Sequence, residues 1–440
     1  MPRETRATKD GDLLKLSAGS DHRLSAMADR LVGSEILGIA AEIRALLAEG
    51  QKICNLTVGD FSPQEFRIPQ FLETAFTEAL ARGETNYPPA EGIPALRKAI
   101  RDFYLRRLGL DYSIDSVIVT SGSRPGIYAT YRGLVDPGEI VVYPVPSWNN
   151  NHYCHLAGAQ ARPVFCTEHD AFLPTRALLE KPIRGARLLA LNSPLNPTGT
   201  AFAEGALREI CDLVIEENER RGNGERPLYV MFDQVYWMLT FGKTRHVNPV
   251  SLHPKMKDYT LFVDGISKAF AATGVRVGWL VGPEDLMRKM AYLITHLGAW
   301  APRPGQVATA KMLNAEDEIG AFHSVMKSGI EKRLTALDDI VAALRSDGFP
   351  VHAIEPMGAI YLSVRFALKG MRTASGKIIE SNEDIRQFLL QEAKIAVVPF
   401  HAFGSKEEDG WFRLSVGAIS LEETKAMLPR LKAALSLLHT

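Results

Sequence analysis

The sequence has little that would staple it, anchor it to a bilayer or draw it to a polyanion. Its 440 residues include four cysteines, Cys54, Cys154, Cys166 and Cys211. None forms a C-x-x-C pair and no His/Cys group has zinc spacing, so no disulfide framework, redox pair or structural metal is expected. Scattered thiols of this kind fit a reducing compartment. Acidic and basic side chains balance at 51 each, which removes the electrostatic argument for nucleic acid or an anionic membrane as partner. No apolar run has the length needed to span a bilayer. The opening stretch MPRETRATKDGDLLKLSAG lacks the apolar core of a signal peptide. A soluble cytoplasmic protein is the resulting expectation. The turn TSGSRPGIY is not followed by the G-K-[ST] of a Walker sequence, and no G-x-G-x-x-G follows the first strand, which argues against a nucleotide-binding enzyme. No internal repeat or low-complexity segment stands out.

What is present points to an α/β protein of two or three domains. Hydrophobic residues make up 46% of the chain, enough at this length to bury a core without staples. Residues 1–25 read as a mobile tail. SEILGIAAEIRALLAEG, FLETAFTEALARGE and IPALRKAIRDFYLRRLG have the spacing of amphipathic helices. Six short apolar runs follow, SVIVTSG, IVVYPVP, ARLLALNSP, PLYVMFD, TLFVDG and VRVGWLVG, with helical stretches such as EGALREICDLVIEENERR between several of them. Continuous apolar strands alternating with helices predict a mainly parallel sheet. From about Gly320 the pattern changes to a long helix ending at Gly348, then the strands AIYLSVRF, IAVVPF and WFRLSVGAI, then a closing helix LEETKAMLPRLKAALSLL. The expected division is a large domain over 61–319 and a smaller α+β domain over 320–440, to which 26–60 contributes.

In an open α/β sheet, ligands bind at the carboxyl ends of the strands. Several strands here end in polar residues: SGS, NSP, FDQ and GISK. Lys268 becomes a carbonyl nucleophile if its surroundings lower its pKa; it also reads as an exposed lysine at a helix start. Asp233 ends its strand, where a carboxylate can keep the pyridinium nitrogen of a cofactor protonated or simply cap a helix. Tyr236 can donate to the ring oxygen of such a cofactor or pack as a buried tyrosine. Gly122 and Ser123 let backbone N–H groups approach a phosphate at a helix start, although such turns also merely connect strand to helix. Asn196, in NSPLNPTG, offers an amide from a loop stiffened by Pro194 and Pro197, with plain turn chemistry as the other reading. Trp148 can stack on a flat ring or sit in the core. Arg276 can pair with a phosphate, and Arg413 suits bidentate capture of a carboxylate; surface ion pairs are the alternative for both.

The order of these signals is more telling than any one of them: phosphate turn, aromatic residue, NPTG, Asp-x-x-Tyr, Ser-Lys, Arg and a distal Arg. With NYPPAEGIPALRKAI, FDQVYW, SKAFAATGVRVGW and FRLSVG, the chain resembles the class I aminotransferases, fold type I enzymes of the aspartate aminotransferase superfamily that use pyridoxal 5'-phosphate (PLP). The resemblance runs from about Ser34 to Leu438. It implies a homodimer with shared active sites. It implies that Lys268 forms the Schiff base with PLP and moves the proton at the substrate α-carbon. Asp233 would hold the pyridine nitrogen, Asn196 and Tyr236 the ring oxygen, and Trp148 the ring face. Gly122, Ser123, Arg124 and Arg276 would surround the phosphate, with Tyr87 reaching the phosphate of the neighbouring subunit. Arg413 would hold the substrate α-carboxylate, with Gly59 and Asn196 on the substrate side.

Two departures from the family pattern stand out. Gly265, three residues before Lys268, occupies a position where such enzymes usually place a phosphate-binding Ser or Thr. The substrate loop reads GDFSPQEFRIP in place of the common G-E-P-D-F type. The expected activity is transfer of an amino group from an L-amino acid to a 2-oxo acid by a ping-pong route through pyridoxamine phosphate. Arg124 takes the third position of the phosphate turn, where a subgroup of aspartate aminotransferases carries a lysine facing the distal carboxylate of a dicarboxylic substrate. A guanidinium keeps that charge, so aspartate or glutamate is the expected donor. A neutral or aromatic donor follows instead if Arg124 serves only the phosphate. β-Elimination on the same fold would use the same cofactor residues and is the alternative reaction.

Overall fold

A computed structural model describes residues 23–406 and 408–439. The tail expected over 1–25 falls, up to residue 22, outside them. β1 is the short strand Cys54–Asn55. β2 (Val117–Thr120), β3 (Ile140–Val145), β4 (Gln160–Phe165), β5 (Ala186–Asn192), β6 (Tyr229–Asp233), β7 (Thr260–Gly265) and β8 (Gly278–Val281) form one sheet. Its seven strands run in the order β2-β8-β7-β6-β5-β3-β4. β8 is antiparallel to both neighbours, and every other pairing is parallel. The apolar pattern does not predict β4. Its residues QARPVF are too polar for a buried run, and Pro163 cannot donate to a ladder. The strand is possible because it lies at the sheet edge, where both features are tolerated.

Helices cover both faces because alternation sends successive side chains to opposite sides. Phe262 of β7 shares one core cluster with Leu96, Ile100 and Phe103 of the helix Pro94–Leu108 and with Ile210 and Val214 of the helix Glu204–Arg221. Leu261 and Val263 share one core cluster with Ile127 and Tyr131 of the helix Ser123–Leu134 and with Met287 and Ile294 of the helix Glu284–Leu297. Asp264 lies on the Phe262 side. It accepts from the Gly265 amide at 2.7 Å, Tyr104 OH at 3.0 Å and Trp237 Nε1 at 2.9 Å. Tyr104 OH accepts in turn from Gln234 Nε2 and Trp279 Nε1, each at 3.1 Å. A buried network satisfied this fully fixes the end of β7 in one position.

The rest of the chain builds a second sheet from β9 (Val351–Ala353), β10 (Tyr361–Phe366), β12 (Val398–Pro399) and β13 (Trp411–Ser415), preceded in the chain by β11 (Ile395–Ala396) where β12 begins. Its order is β12-β13-β10-β9, all antiparallel, and β1 pairs in parallel with β11. The helix Glu316–Ser346 lays Ile330, Leu334, Leu337, Val341 and Leu344 against this region at helical spacing. It begins before the expected change at Gly320, because Glu316, Asp317 and Glu318 suit the positive end of a helix. The closing segment is two helices, Leu421–Lys425 and Met427–Leu435. Pro429 explains the break, since its ring would meet the Lys425 carbonyl in a continuous helix. Among the described residues no helix is long and apolar enough to cross a membrane.

Three glycines let backbones touch behind the strand ends. A Cβ on Gly278 would lie 2.5 Å from the carbonyl carbon of Gly122 and 2.6 Å from the amide nitrogen of Ser123. A Cβ on Gly265 would come within 2.8 Å of both Gly278 Cα and the Val277 carbonyl oxygen. The departure at Gly265 therefore has a packing reason: no side chain fits there. Gly278→Ala should cost about 1–3 kcal/mol by overpacking. Gly205→Ala, in a helix with open space around it, should gain up to about 1 kcal/mol. Urea unfolding of the two variants checks this, and equal responses would sink the backbone-contact argument.

Candidate active site

A cavity of about 550 Å³ opens where the strand ends predict one. Ser123 follows β2, Asn192 ends β5, Asp233 ends β6, and Ser267 and Lys268 follow β7; all line it. The opposite wall comes from Gly59 and Asp60 after β1, Tyr361 on β10 and Arg413 on β13, with Ile36 and Leu37 from the helix Glu35–Ala48 at one side. Of the residues singled out in the sequence, Gly59, Ser123, Arg124, Trp148, Asn196, Asp233, Tyr236, Lys268, Arg276 and Arg413 all face this space. Gly122 sits beside it as the residue before the helix Ser123–Leu134. Tyr87 does not line it. That side chain is 82% exposed, with its ring centroid 5.3 Å from that of Trp300.

Lys268 stands on a four-residue helix that starts directly from β7. Its Nζ donates to the Gly59 carbonyl at 2.5 Å. Desolvation by the surrounding protein lowers its pKa from the ordinary 10.5 to about 8, with Asp60 pulling it up and Arg413, Arg124 and Arg276 pushing it down. Burial pushes Asp233 up to about 6, against the pull of the Val235 amide and the Lys268 charge. The Val235 N–H lies 3.1 Å from Asp233 Oδ1. Both groups therefore change charge close to neutral pH, the behaviour expected of working acids and bases.

Three arginines line the cavity. Arg413 is 2% exposed. Its Nη1 donates to Asn196 Oδ1 at 3.1 Å and its Nη2 to the Thr57 carbonyl at 2.6 Å. Its guanidinium lies between the rings of Tyr361 and Phe403, 4.8 and 4.9 Å from their centroids. Its Nε is buried with no hydrogen-bond partner. Arg276 donates to the Thr273 and Ser121 carbonyls at 2.8 and 3.0 Å. The Arg124 guanidinium lies over the Trp148 ring at 4.5 Å. Among the described residues none of the three forms an ion pair with a carboxylate. There is also no group of three or more His, Cys, Asp or Glu side chains that could hold a metal among these residues.

Sequence reading missed four residues that the fold brings here. Asn192 donates to the Asp233 carbonyl and accepts the Asn196 amide, each at 2.8 Å, and so fixes the Asn-Pro loop. Tyr361 OH is 2.6 Å from Tyr236 OH. Asp60 and Thr273 are joined at 2.7 Å. The polar end of ARLLALN was a usable signal for Asn192, while the other three depend on contacts between distant segments.

Comparison with known proteins agrees with this geometry. The chain is 31% identical over 405 residues to an aspartate aminotransferase of Rhizobium meliloti (strain 1021), covering 91% of this chain and 93% of that one. It is 31% identical to a probable aspartate/prephenate aminotransferase of Rhizobium leguminosarum bv. phaseoli, over 87% of this chain and 92% of that one. The crystal structure of the aspartate aminotransferase from Rhizobium meliloti superposes with a TM-score of 0.85 at 29% identity, covering 94% of this chain and 99% of that one. The sequence profile of the family described as Aminotransferase class I and II matches residues 51–431. With a profile match over most of its length, the chain belongs to the class I and II aminotransferases, PLP-dependent enzymes of fold type I.

Proposed function

We propose that the cavity walls divide the work of amino-group transfer among named side chains, with aspartate or glutamate as donor. Gly122, Ser123, Arg124 and Arg276 take the PLP phosphate, Asp233 the pyridine nitrogen, Asn196 and Tyr236 the ring oxygen, and Lys268 the aldehyde carbon. Trp148 lies against the ring. The residues present fit this group. A Cβ on Gly122 would overlap the Arg276 guanidinium, so only glycine lets that cation reach the turn. The 12-residue helix Ser123–Leu134 aims the positive end of its dipole at the same spot. Asn196 Oδ1 is engaged by Arg413, which leaves its Nδ2 to donate.

When bound, the cofactor supplies a protonated ring that takes up the negative charge left at the substrate α-carbon. Asp233, ionised above a pH of about 6, keeps the ring nitrogen protonated. Lys268 Nζ removes the α-proton. At about 8, its pKa lets a useful fraction of neutral base exist at neutral pH. Arg413 carries the substrate assignment. A guanidinium this deeply buried, with an unused Nε and no paired carboxylate among the described residues, is a costly arrangement that a ligand carboxylate relieves.

With Arg413 on the α-carboxylate and Arg276 on the phosphate, Arg124, beside the phosphate turn, is the cation left to serve a distal carboxylate as well. The relatives named for aspartate support this choice. The same reading takes 61–319 as the cofactor-binding domain and joins 26–60 to 320–440, a grouping supported by the pairing of β1 with β11. It takes the working unit as a cytoplasmic homodimer in which Tyr87 crosses to the partner's phosphate site; a large aromatic side chain left 82% exposed supports a covered face there.

Lys268→Ala should fold and still bind PLP, yet lose the cofactor attachment that borohydride traps in the parent. Normal turnover in that variant would remove Lys268 from the mechanism. In the parent, the rate of PLP attachment to cofactor-free chain should rise about tenfold per pH unit up to about 8 and then level off. Continued rise to about 10 would return the amine to an ordinary environment. Arg124→Leu should lower kcat/KM for aspartate by a factor matching about 1.5–3 kcal/mol, with a smaller loss for a neutral amino acid. Equal losses would assign Arg124 to the phosphate alone.

A further inference from the structure

We propose that Asp60, through Thr273 and its neighbour Gly59, is a positioning residue that couples the substrate loop to Lys268 and Arg276. The inference rests on the roles given above for those two cations.

The loop after β1 keeps an acidic residue at its second position, with Asp60 in place of the common Glu, and this carboxylate is in contact with the lysine loop. Asp60 Oδ1 accepts the Phe61 amide at 2.8 Å and Thr273 Oγ1 at 2.7 Å. Thr273 lies between Lys268 and Arg276 in the chain, and its carbonyl accepts Arg276 Nη1 at 2.8 Å. Gly59 supplies the carbonyl that receives Lys268 Nζ. Two consecutive residues of the substrate loop thus reach both cations. Gly59 cannot be replaced without disturbance, since a Cβ there would lie 2.7 Å from Tyr361 OH.

The segment that Asp60 holds needs an outside restraint. Ala271 and Arg276 sit at φ of 49° and 59°, in the left-handed region that side chains disfavour. Such conformations persist only when neighbours over-determine them. The Thr273–Asp60 bond is one such constraint, placed midway between the two strained residues. Where Asp60 is lost, the segment relaxes and Arg276 loses its aim at the phosphate turn.

Charge gives Asp60 a second effect. Lys268 is faced by Arg124 from the helix after β2, Arg276 from its own loop, Arg413 from β13, Asp233 from β6 and the Tyr236 ring, whose centroid is 6.0 Å from Nζ. The arginines favour the neutral amine and Asp60 favours the ammonium. Removing the Asp60 charge therefore lowers the pH at which Lys268 becomes neutral. In this arrangement, movement of the substrate loop alters the charge of the lysine as well as its position.

The test uses the full chain freed of cofactor. Trace acetic anhydride labels amines only in their neutral form, and peptide mass spectrometry reads Lys268 as a function of pH. Asp60→Asn should move the half-labelling pH down by about one unit, and Asp60→Glu should restore most of that shift. Thr273→Val keeps the charge, so its effect should appear at Arg276: PLP affinity falls about tenfold while affinity for pyridoxal, which lacks the phosphate, is unchanged. An unmoved midpoint in Asp60→Asn overturns the proposal, as does an equal loss of PLP and pyridoxal affinity in Thr273→Val. Failure of the underlying site reading looks different: Lys268 in the parent would then label only at an ordinary lysine pH. If Asp60→Asn does not fold, the ligand comparison in Thr273→Val still decides the case.

Discussion

Four cationic side chains, Lys268, Arg124, Arg276 and Arg413, face one cavity whose walls carry two carboxylates, Asp60 and Asp233. Gathering like charges away from water costs several kcal/mol per ion unless each is paired. The structure must therefore be held together elsewhere with enough margin to keep the cations in place. The apolar layers on both faces of the seven-stranded sheet supply the bulk of that margin. The network around Asp264 fixes the end of β7, from which Lys268 is launched. Arg413 is held by two flat rings and two acceptors from different segments, so its charge stays aimed although no carboxylate among the described residues pairs with it.

A consequence of this imbalance is that binding and catalysis draw on the same source. Each anionic group of a ligand that enters relieves part of the repulsion among the cations. The favourable pairing is available before any chemistry starts, and it is directional because the guanidiniums cannot turn away. The depressed lysine and the raised aspartate follow from the same crowded, poorly hydrated space.

Most of the large sheet and much of the cavity were legible in the sequence, for a physical reason. Lys268, Asp233, Asn196 and the Gly122 turn sit at strand ends, and a strand end is visible as the point where an apolar run meets polar residues. Arg413 was legible because a charge inside the strand WFRLS is costly without a purpose. Asp60, Thr273 and Tyr361 were not. Thr273 meets Asp60 across 213 residues, and Tyr361 meets Tyr236 across 125; no local periodicity encodes such a contact. β4 was hidden by its composition, which only its place at the sheet edge makes acceptable. The division of the closing helix was written in Pro429 and was outweighed in the pattern by the leucines around it.

The contact of Gly122, Gly265 and Gly278 separates what can vary from what cannot. The phosphate turn is seated on main-chain atoms of β8, with no side chain between them. Its position does not depend on any group that mutation can trim or swap. Ile36 and Leu37, by contrast, line the cavity from the helix Glu35–Ala48 and take no part in that seat. Retuning this enzyme toward a new donor is therefore a matter of repainting the walls of a room whose foundation stays put, and successive rounds of change there can accumulate without loosening the hold on the cofactor.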